Sequence, residues 1–164
     1  MGHVGYQLMK LSKSLGMEVF YNDIKRKSKS FEKKYQIKFQ NLSNLLKKKE
    51  IISLNVSLTE KSRNLINKKQ MSIMNKDAIL INTSRGNVLN EKELIKHLKK
   101  NKFFKAGLDV FESEPLSKKN PLIKAKNVLL TPHCGPSKES YEKLVNLIIR
   151  NIINIYKGRK INNL

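Results

Sequence analysis

Short runs of β-branched and aliphatic residues alternate with segments of helical spacing along most of the chain, and this alternation constrains the fold more than any other feature. Such runs are typical of strands that lie buried in a parallel sheet. Strands that alternate with helices at this pace form βαβ units with right-handed crossovers. The sequence therefore predicts an α/β protein with a doubly wound parallel sheet. The predicted strands are Met17–Tyr21, Ile51–Val56, Ala78–Asn82, Ala106–Val110 and Val128–Thr131.

Apolar residues at helical spacing predict the helices that connect these strands. The first contains Val4–Leu15 and ends at Gly16 as a C-cap would. A short helix follows at Leu42–Leu46, and another contains Leu89–Leu98 with Asn90 as its N-cap. This order of elements predicts a Rossmann-type fold with three α/β/α layers and a long C-terminal helix. The apolar stripe of that last helix consists of Tyr141, Leu144, Val145, Ile148, Ile149, Ile152, Ile155 and Tyr156.

The chain opens with Met1-Gly2-His3-Val4-Gly5. Gly2 and Gly5 have the spacing of the second and third glycines of the dinucleotide fingerprint Gly-x-Gly-x-x-Gly, which follows a strand and begins a helix. The first glycine and its strand are not in the sequence, so we expect a sheet that lacks its first strand and has two unpaired edges. The residues predicted to bind the cofactor pyrophosphate are Gly2, His3, Val4 and Gly5.

Asp23 closes the next predicted strand, eighteen positions after Gly5. A carboxylate near this position binds the adenosine ribose hydroxyls and repels a 2′-phosphate, so it favours NAD over NADP. The alternative is that Asp23 is only a turn residue at the strand end. The cations that follow it closely would weaken the selectivity; they are Lys25, Arg26 and Lys27.

Three later motifs each begin at the C-terminal end of a predicted strand, where open α/β sheets bind ligands. They are Ile81–Gly86, Gly107–Pro115 and Thr131–His133. In this order and spacing, the sequence resembles the D-isomer-specific 2-hydroxyacid dehydrogenase family over essentially all of its 164 residues. The resemblance implies an NAD-dependent oxidoreductase that transfers a hydride between the nicotinamide and a D-2-hydroxy or 2-oxo acid, with no metal site.

The resemblance also implies a role for three side chains in that reaction. A proton must move on or off the substrate C2 oxygen, and a histidine suits this near neutral pH. By resemblance His133 is this acid and base, and Glu114 is the carboxylate that stabilises its imidazolium. Arg85 binds the substrate carboxylate, which its planar guanidinium matches.

The same resemblance assigns cofactor contacts at the strand ends. Asp109 lies beside the nicotinamide and holds its carboxamide, and Thr83 and Ser84 line the cofactor. Arg85 and His133 also lie against the cofactor.

The resemblance predicts an NAD-binding domain at residues 1–136, with the crossover helix and a remnant of the substrate domain at residues 137–164. The N-terminal segment of the family's substrate domain is not in the sequence, so we expect a fragment of a longer enzyme that is inactive alone. Asn55 stands where the family usually has His, and Ser57 where it usually has Pro. We expect both departures to be tolerated. Family members usually form homodimers through this domain.

The formal net charge of +21 suggests a nucleic-acid or anionic-membrane partner. However, 29 of the 34 basic residues are lysines and they are dispersed from Lys10 to Lys160, as a compositional drift would produce. We therefore expect no specific nucleic-acid or membrane partner. The single cysteine, Cys134, and the lack of a signal peptide or membrane-spanning run favour the cytoplasm. Two alternatives stay open: a non-catalytic NAD-binding module like the family's co-repressors, and a basic nucleic-acid-binding protein.

Overall fold

The computed structural model describes residues 1–135 together with Asn146, Ile149 and Arg150. Residues 1–133 form one compact unit, and the chain from Cys134 onward forms a second. The helices and strands of the first unit, in chain order, are α1 (His3–Ser14), β1 (Phe20–Tyr21), α2 (Lys29–Tyr35), β2 (Lys38–Phe39), α3 (Leu42–Lys48), β3 (Ile51–Leu54), α4 (Lys68–Ser72), β4 (Ile79–Asn82), α5 (Glu91–Lys100), β5 (Lys105–Leu108) and β6 (Val128–Leu130). Two 3₁₀ turns lie at Gly86–Val88 and Pro121–Lys124.

All six described strands are paired in parallel, in two sheets. One sheet contains β1 and β2, and the other has the order β3-β4-β5-β6. One row across the larger sheet runs from Ile52 through Leu80 and Ala106 to Val128. The parallel sheets and their helices confirm the predicted Rossmann-type class. Within the described part of the chain, β1 and β3 each pair on one side only, as expected for a sheet without its first strand.

The main core lies between the four-stranded sheet and the helices that connect its strands. Leu80 of β4 and Leu94 of α5 are fully buried there, together with Phe104 ahead of β5. Burying a side chain of this size contributes about 1.5–3 kcal/mol to folding. The Asn90 side chain caps α5 by accepting from the Glu93 N–H at 3.0 Å, which confirms the predicted N-cap.

Helix α1 has the predicted position but buries a different face. Gly16 has a φ of 78°, and its N–H donates to the Lys13 carbonyl while the Met17 N–H donates to the Ser12 carbonyl. These two bonds are a Schellman motif, which confirms the predicted C-terminal glycine. The buried residue of α1 is Met9. The apolar stripe that predicted the helix is instead 37–71% exposed; it consists of Val4, Leu8, Leu11 and Leu15.

The predicted last helix lies outside the described residues, apart from Asn146, Ile149 and Arg150, so Ile149 is the one described member of its apolar stripe. The predicted domain boundary at residue 136 stays a prediction. Among the helices of the described part of the chain, none is long and apolar enough to cross a membrane.

Candidate active site

Asn82, the last residue of β4, organises the loop that carries Thr83, Ser84 and Arg85. Its side chain is fully buried. The carboxamide oxygen accepts from the Ser84 N–H at 3.1 Å and from the Ser84 hydroxyl at 2.8 Å, and the amide donates to the Arg85 carbonyl at 3.0 Å. Its backbone carbonyl also accepts from the Asp109 N–H at 3.0 Å. Asn82 therefore joins the loop after β4 to the loop after β5. The sequence does not predict this role for Asn82, although a polar residue that ends an apolar strand is a turn signal.

Gly86 lets the same two loops pack against each other without an intervening side chain. A Cβ at this position would lie 1.8 Å from the Phe111 carbonyl oxygen and 2.6 Å from the Glu112 nitrogen. Only glycine allows a backbone approach this close. Gly86 therefore fixes the distance between Arg85 and the segment that carries Glu114.

Glu114 and His133 meet at this edge of the sheet, as predicted. The Glu114 Oε2 lies 2.7 Å from the His133 Nδ1, and its Oε1 accepts from the Phe111 N–H at 3.0 Å. Their side chains are 36% and 48% exposed, which leaves the imidazole accessible to a ligand. His133 has a φ of 52°, in the left-handed region that non-glycine residues rarely adopt.

The hydrogen bond from His133 lowers the pKa of the Glu114 carboxyl below its ordinary value of 4.5, and the Phe111 N–H lowers it further. Glu114 is therefore ionised at neutral pH. Because the carboxylate accepts at Nδ1, it orients the ring and leaves the Nε2 of His133 for an exchangeable proton.

Arg85 lies in an exposed, extended backbone at the start of the 3₁₀ turn. Its Nη1 donates to the Ser84 carbonyl at 2.6 Å. Among the described residues, no carboxylate forms an ion pair with this guanidinium, so it can receive an anionic ligand. The structure thus brings Arg85 to the same pair of loops as Glu114, without a described contact between the two side chains.

Asp109 follows β5, and its Oδ1 accepts from the hydroxyl of Thr131, which follows β6, at 2.5 Å. This bond connects the second and third motifs across neighbouring strands. Thr83 is exposed at the end of the adjacent strand β4, and Ser84 is half-buried. The loops after β4, β5 and β6 therefore form one continuous polar edge at the C-terminal ends of the strands.

Gly2 is the N-cap residue of α1, and no side chain caps this helix. A Cβ on Gly2 would meet no atom within 4 Å. His3 and Val4 are exposed, and Gly5 approaches Asn55 at the end of β3, since its Cβ would lie 3.8 Å from the Asn55 Cβ. An open glycine at an uncapped helix N-terminus suits a pyrophosphate, because the free N–H groups and the helix dipole both favour an anion.

Asp23 is half-buried at the end of β1, where it accepts from the Lys25 N–H at 3.2 Å and pairs with the α-ammonium group of Met1. Burial raises the pKa of its carboxyl, but the bonds from the ammonium and from backbone N–H groups outweigh burial, and the net pKa is lowered. One oxygen of Asp23 thus forms a strand-end turn while the other binds a donor.

Residues 1–135 match the sequence model of the family described as D-isomer specific 2-hydroxyacid dehydrogenase, NAD binding domain. The chain belongs to this family. The resemblance drawn from the three motifs is therefore confirmed, and so is the assignment of the chain to the family's NAD-binding domain.

Three similar proteins illustrate how much of a family member this chain represents. A glyoxylate reductase from Korarchaeum cryptofilum is 38% identical over 159 residues, which cover 96% of this chain and 48% of that protein. A D-lactate dehydrogenase from Lactobacillus jensenii, solved with NAD⁺, has a TM-score of 0.87 and 28% identity, with 100% of this chain and 53% of that chain covered. An acyclic imino acid reductase, solved with NADPH and D-Arg, has a TM-score of 0.84 and 32% identity, with 99% and 51% covered. The chain therefore spans about half the length of these relatives.

Proposed function

We propose that the protein carrying this chain is an NAD-dependent oxidoreductase that transfers a hydride between the nicotinamide and C2 of a D-2-hydroxy or 2-oxo acid. The observation that carries the proposal is the 2.7 Å contact between the His133 Nδ1 and the Glu114 Oε2, at the sheet edge where Arg85 is also exposed. A general acid and base, its orienting carboxylate and a cation for the substrate are the groups that this reaction needs from the protein.

In the proposed reaction His133 donates a proton to the C2 oxygen of the 2-oxo acid, and in the reverse direction it accepts that proton. Glu114 holds the ring by Nδ1 and stabilises the imidazolium form. Arg85 binds the substrate carboxylate with its guanidinium fork and so fixes which face of C2 meets the nicotinamide. NAD(H), when bound, accepts or supplies the hydride.

We propose that the cofactor extends from the N-terminus of helix α1 along the C-terminal ends of the strands to β6. The segment Gly2–Gly5, with His3 and Val4, binds the pyrophosphate, and Asp23 binds the adenosine ribose in place of the Met1 ammonium. The nicotinamide end then lies against Thr83, Ser84, Arg85, Asp109 and His133.

The test uses a longer chain, in which an upstream segment from the Korarchaeum cryptofilum glyoxylate reductase precedes this sequence. NADH oxidation is measured with glyoxylate, hydroxypyruvate, pyruvate and phosphohydroxypyruvate. We expect turnover with at least one of them, and His133→Gln should lower it by at least about 100-fold while NADH binding persists. His97→Gln, on α5, is the matched control and should keep turnover. An extended chain that binds NADH but turns over none of the four, or a His133→Gln variant as active as its parent, contradicts the proposed function.

Binding should also favour NADH over NADPH, because Asp23 repels a 2′-phosphate. Fluorescence titration of the same protein with each cofactor measures this preference. Equal or tighter binding of NADPH is the result that rejects the assignment of Asp23.

We further propose a cytoplasmic homodimer without a specific nucleic-acid or membrane partner. The exposed apolar stripe of α1 supports self-association, since contiguous exposed apolar side chains often mark an interface. Light scattering at increasing concentration measures the association.

Dispersed lysines should bind nucleic acid only by counterion release, so any affinity for nucleic acid should fall steeply with salt and should not depend on its sequence. A sequence-specific complex at physiological salt would favour the basic nucleic-acid-binding alternative.

A further inference from the structure

The loop between β1 and α2 carries three cations directly after Asp23: Lys25, Arg26 and Lys27. An arginine close to the ribose-binding acid is the group that accommodates the 2′-phosphate in NADP-binding proteins of this fold class. The sequence alone therefore does not decide the cofactor preference, because Asp23 favours NAD whereas Arg26 would favour NADP.

The structure holds the Arg26 guanidinium against α2. Its Nε donates to the Glu32 Oε1 at 2.8 Å and its Nη2 donates to the Glu32 Oε2 at 2.7 Å. This is the two-bonded fork that makes arginine–carboxylate pairs strong and directional. The guanidinium also lies over the Phe39 ring, 5.3 Å from its centroid. Two of its five N–H donors, those on the Nε and Nη2 edge, are thus engaged, and they direct the guanidinium toward Glu32.

Glu32 is itself held in place by a buried network. It is one of two buried polar residues in the described chain, and it accepts from the Tyr21 hydroxyl at 2.7 Å. The same hydroxyl accepts from the Lys27 N–H at 2.9 Å, which attaches the loop backbone to the core. The bonds from Arg26 and Tyr21 lower the pKa of Glu32 to about 2, so it is an anion at any physiological pH.

The two neighbouring cations do not supply the directional fork of Arg26. The Lys27 ammonium lies over the Phe31 ring on α2, 5.7 Å from its centroid. Lys25 is exposed, and a hydrated ammonium binds phosphate as a point charge without the directional fork of arginine.

We propose that Glu32 is a specificity-positioning residue: by holding Arg26 against α2 it keeps the guanidinium from the 2′-phosphate of NADP, and so strengthens the preference for NAD that Asp23 provides. This inference rests on the proposed cofactor site at Gly2–Gly5 and Asp23. It assigns Glu32, which touches no cofactor, a role that acts through Arg26.

The test uses the extended chain described above and measures dissociation constants for NADH and NADPH by fluorescence titration. The wild-type sequence is compared with Glu32→Gln, Arg26→Gln and the double variant. Releasing Arg26 in Glu32→Gln should improve NADPH binding relative to NADH by about tenfold, the effect of one added hydrogen bond between charged groups. The double variant should return to the wild-type ratio, because the gain depends on Arg26. Glu93→Gln removes the same charge from the Lys96 pair on α5 and should leave the ratio unchanged.

An unchanged ratio in Glu32→Gln overturns the inference, and so does an equal loss of both cofactors, which a purely structural role predicts. If Glu32→Gln does not fold, Arg26→Gln decides: a guanidinium already held away should leave NADPH affinity within about twofold of wild type. A tenfold loss of NADPH affinity in Arg26→Gln would show that Arg26 binds the 2′-phosphate and would reject the inference. An extended chain of wild-type sequence that binds neither cofactor contradicts the proposed function itself, whereas an unchanged ratio in Glu32→Gln contradicts only this inference.

Discussion

At Gly86 the backbone itself occupies the space that a side chain would need. Its Cβ would lie 1.8 Å from the Phe111 carbonyl oxygen and 1.9 Å from the carbonyl carbon, both backbone atoms that cannot rotate away. The glycine that follows Arg85 thus belongs to the site for a steric reason. The loops of Arg85 and Glu114 can approach only if this position has no side chain.

Gly86→Ala should therefore separate the two loops and destabilise the fold. Overpacking a buried position costs about 1–3 kcal/mol, and a clash with fixed backbone lies at the upper end. Thermal unfolding measures the loss. The matched control is Gly107→Ala on β5, where the new Cβ would make only an ordinary contact with Ile81 at 3.9 Å. Equal stability of the two variants would show that the loops rearrange without cost.

The carboxyl of Glu114 should titrate below its ordinary pKa of 4.5, because it is bonded to His133 and to the Phe111 N–H. A carboxyl with a lowered folded pKa stabilises the protein fully above its unfolded pKa, and this contribution is lost as pH falls through the folded value. In His133→Ala the pKa of Glu114 should rise toward 4.5, because the largest of the contributions that lower it is removed. Carboxyl chemical shifts followed against pH measure the change. An identical titration in both proteins would mean that the ion pair does not form in solution.

At the scale of the elements, the sequence predicted the strands of the larger sheet better than the small sheet and its helix. Ile51–Val56 and Ala78–Asn82 contain β3 and β4 because buried parallel strands need continuous apolar runs. Strand β2 has only two residues, Lys38 and Phe39, too few to show a period. The sequence of helix α2 is a lysine-rich polar segment, and no periodicity predicts that its Glu32 is buried and pairs with Arg26.

The face of α1 was the clearest difference between pattern and structure. Leucine spacing correctly predicted a helix, but the packing partners of that helix decide which side is buried. Met9 packs with Tyr21 and Ile37, so the stripe that contains Leu8 and Leu11 lies on the exposed side. In the candidate site, the family resemblance implied that Glu114 is the partner of His133, and the two side chains do meet. The organising roles of Asn82 and Gly86 depend on distances between loops, which one sequence does not contain.

Helix α5 carries a histidine that should make folding sensitive to mild acid. The His97 ring packs edge-on against Phe104 with centroids 4.7 Å apart, and burial lowers the pKa of His97 below 6.5. The unfolded chain then binds the proton more readily than the folded one, so stability should fall as pH drops from 6.5 toward the folded pKa. His97→Leu should flatten this part of the profile, whereas His3→Gln, at an exposed position, should leave it unchanged. Unfolding midpoints between pH 5 and pH 8 measure the slope, and an equal slope in His97→Leu would assign it to other groups.

Taken as a whole, the described fold carries the residues that we propose to bind the cofactor on two sheets that do not pair with each other. On the side of α1 and β1 these residues are Gly2, Gly5 and Asp23. On the side of β3–β6 they include Thr83, Ser84 and Asp109. The two sides approach where Gly5 meets Asn55, at the end of β3. A dinucleotide that spans both sides therefore depends on how firmly α1 is held against β3.

The 164-residue chain alone should accordingly show little turnover, although its proposed catalytic residues are in place. The reaction needs C2 to be held close to the nicotinamide in a cleft that excludes water. Such positioning lowers the activation barrier by about 7–11 kcal/mol. This chain covers 48% of the glyoxylate reductase and 53% of the D-lactate dehydrogenase, so we expect the other wall of the cleft to come from sequence outside it. Arg85 would then bind a 2-oxo acid that nothing presses onto the cofactor.

The comparison is between the 164-residue chain and the extended chain, at equal concentration and saturating NADH, with the same four 2-oxo acids. We expect kcat/KM of the short chain to be lower by at least about 1,000-fold, which corresponds to roughly 4 kcal/mol of lost positioning. Weak NADH binding by the short chain should persist, because the helix N-terminus of α1 and Asp23 are both present. Adding the upstream segment as a separate chain should restore part of the activity if positioning is the missing contribution. Comparable kcat/KM in the short and extended chains would show that the described loops form a sufficient active site by themselves.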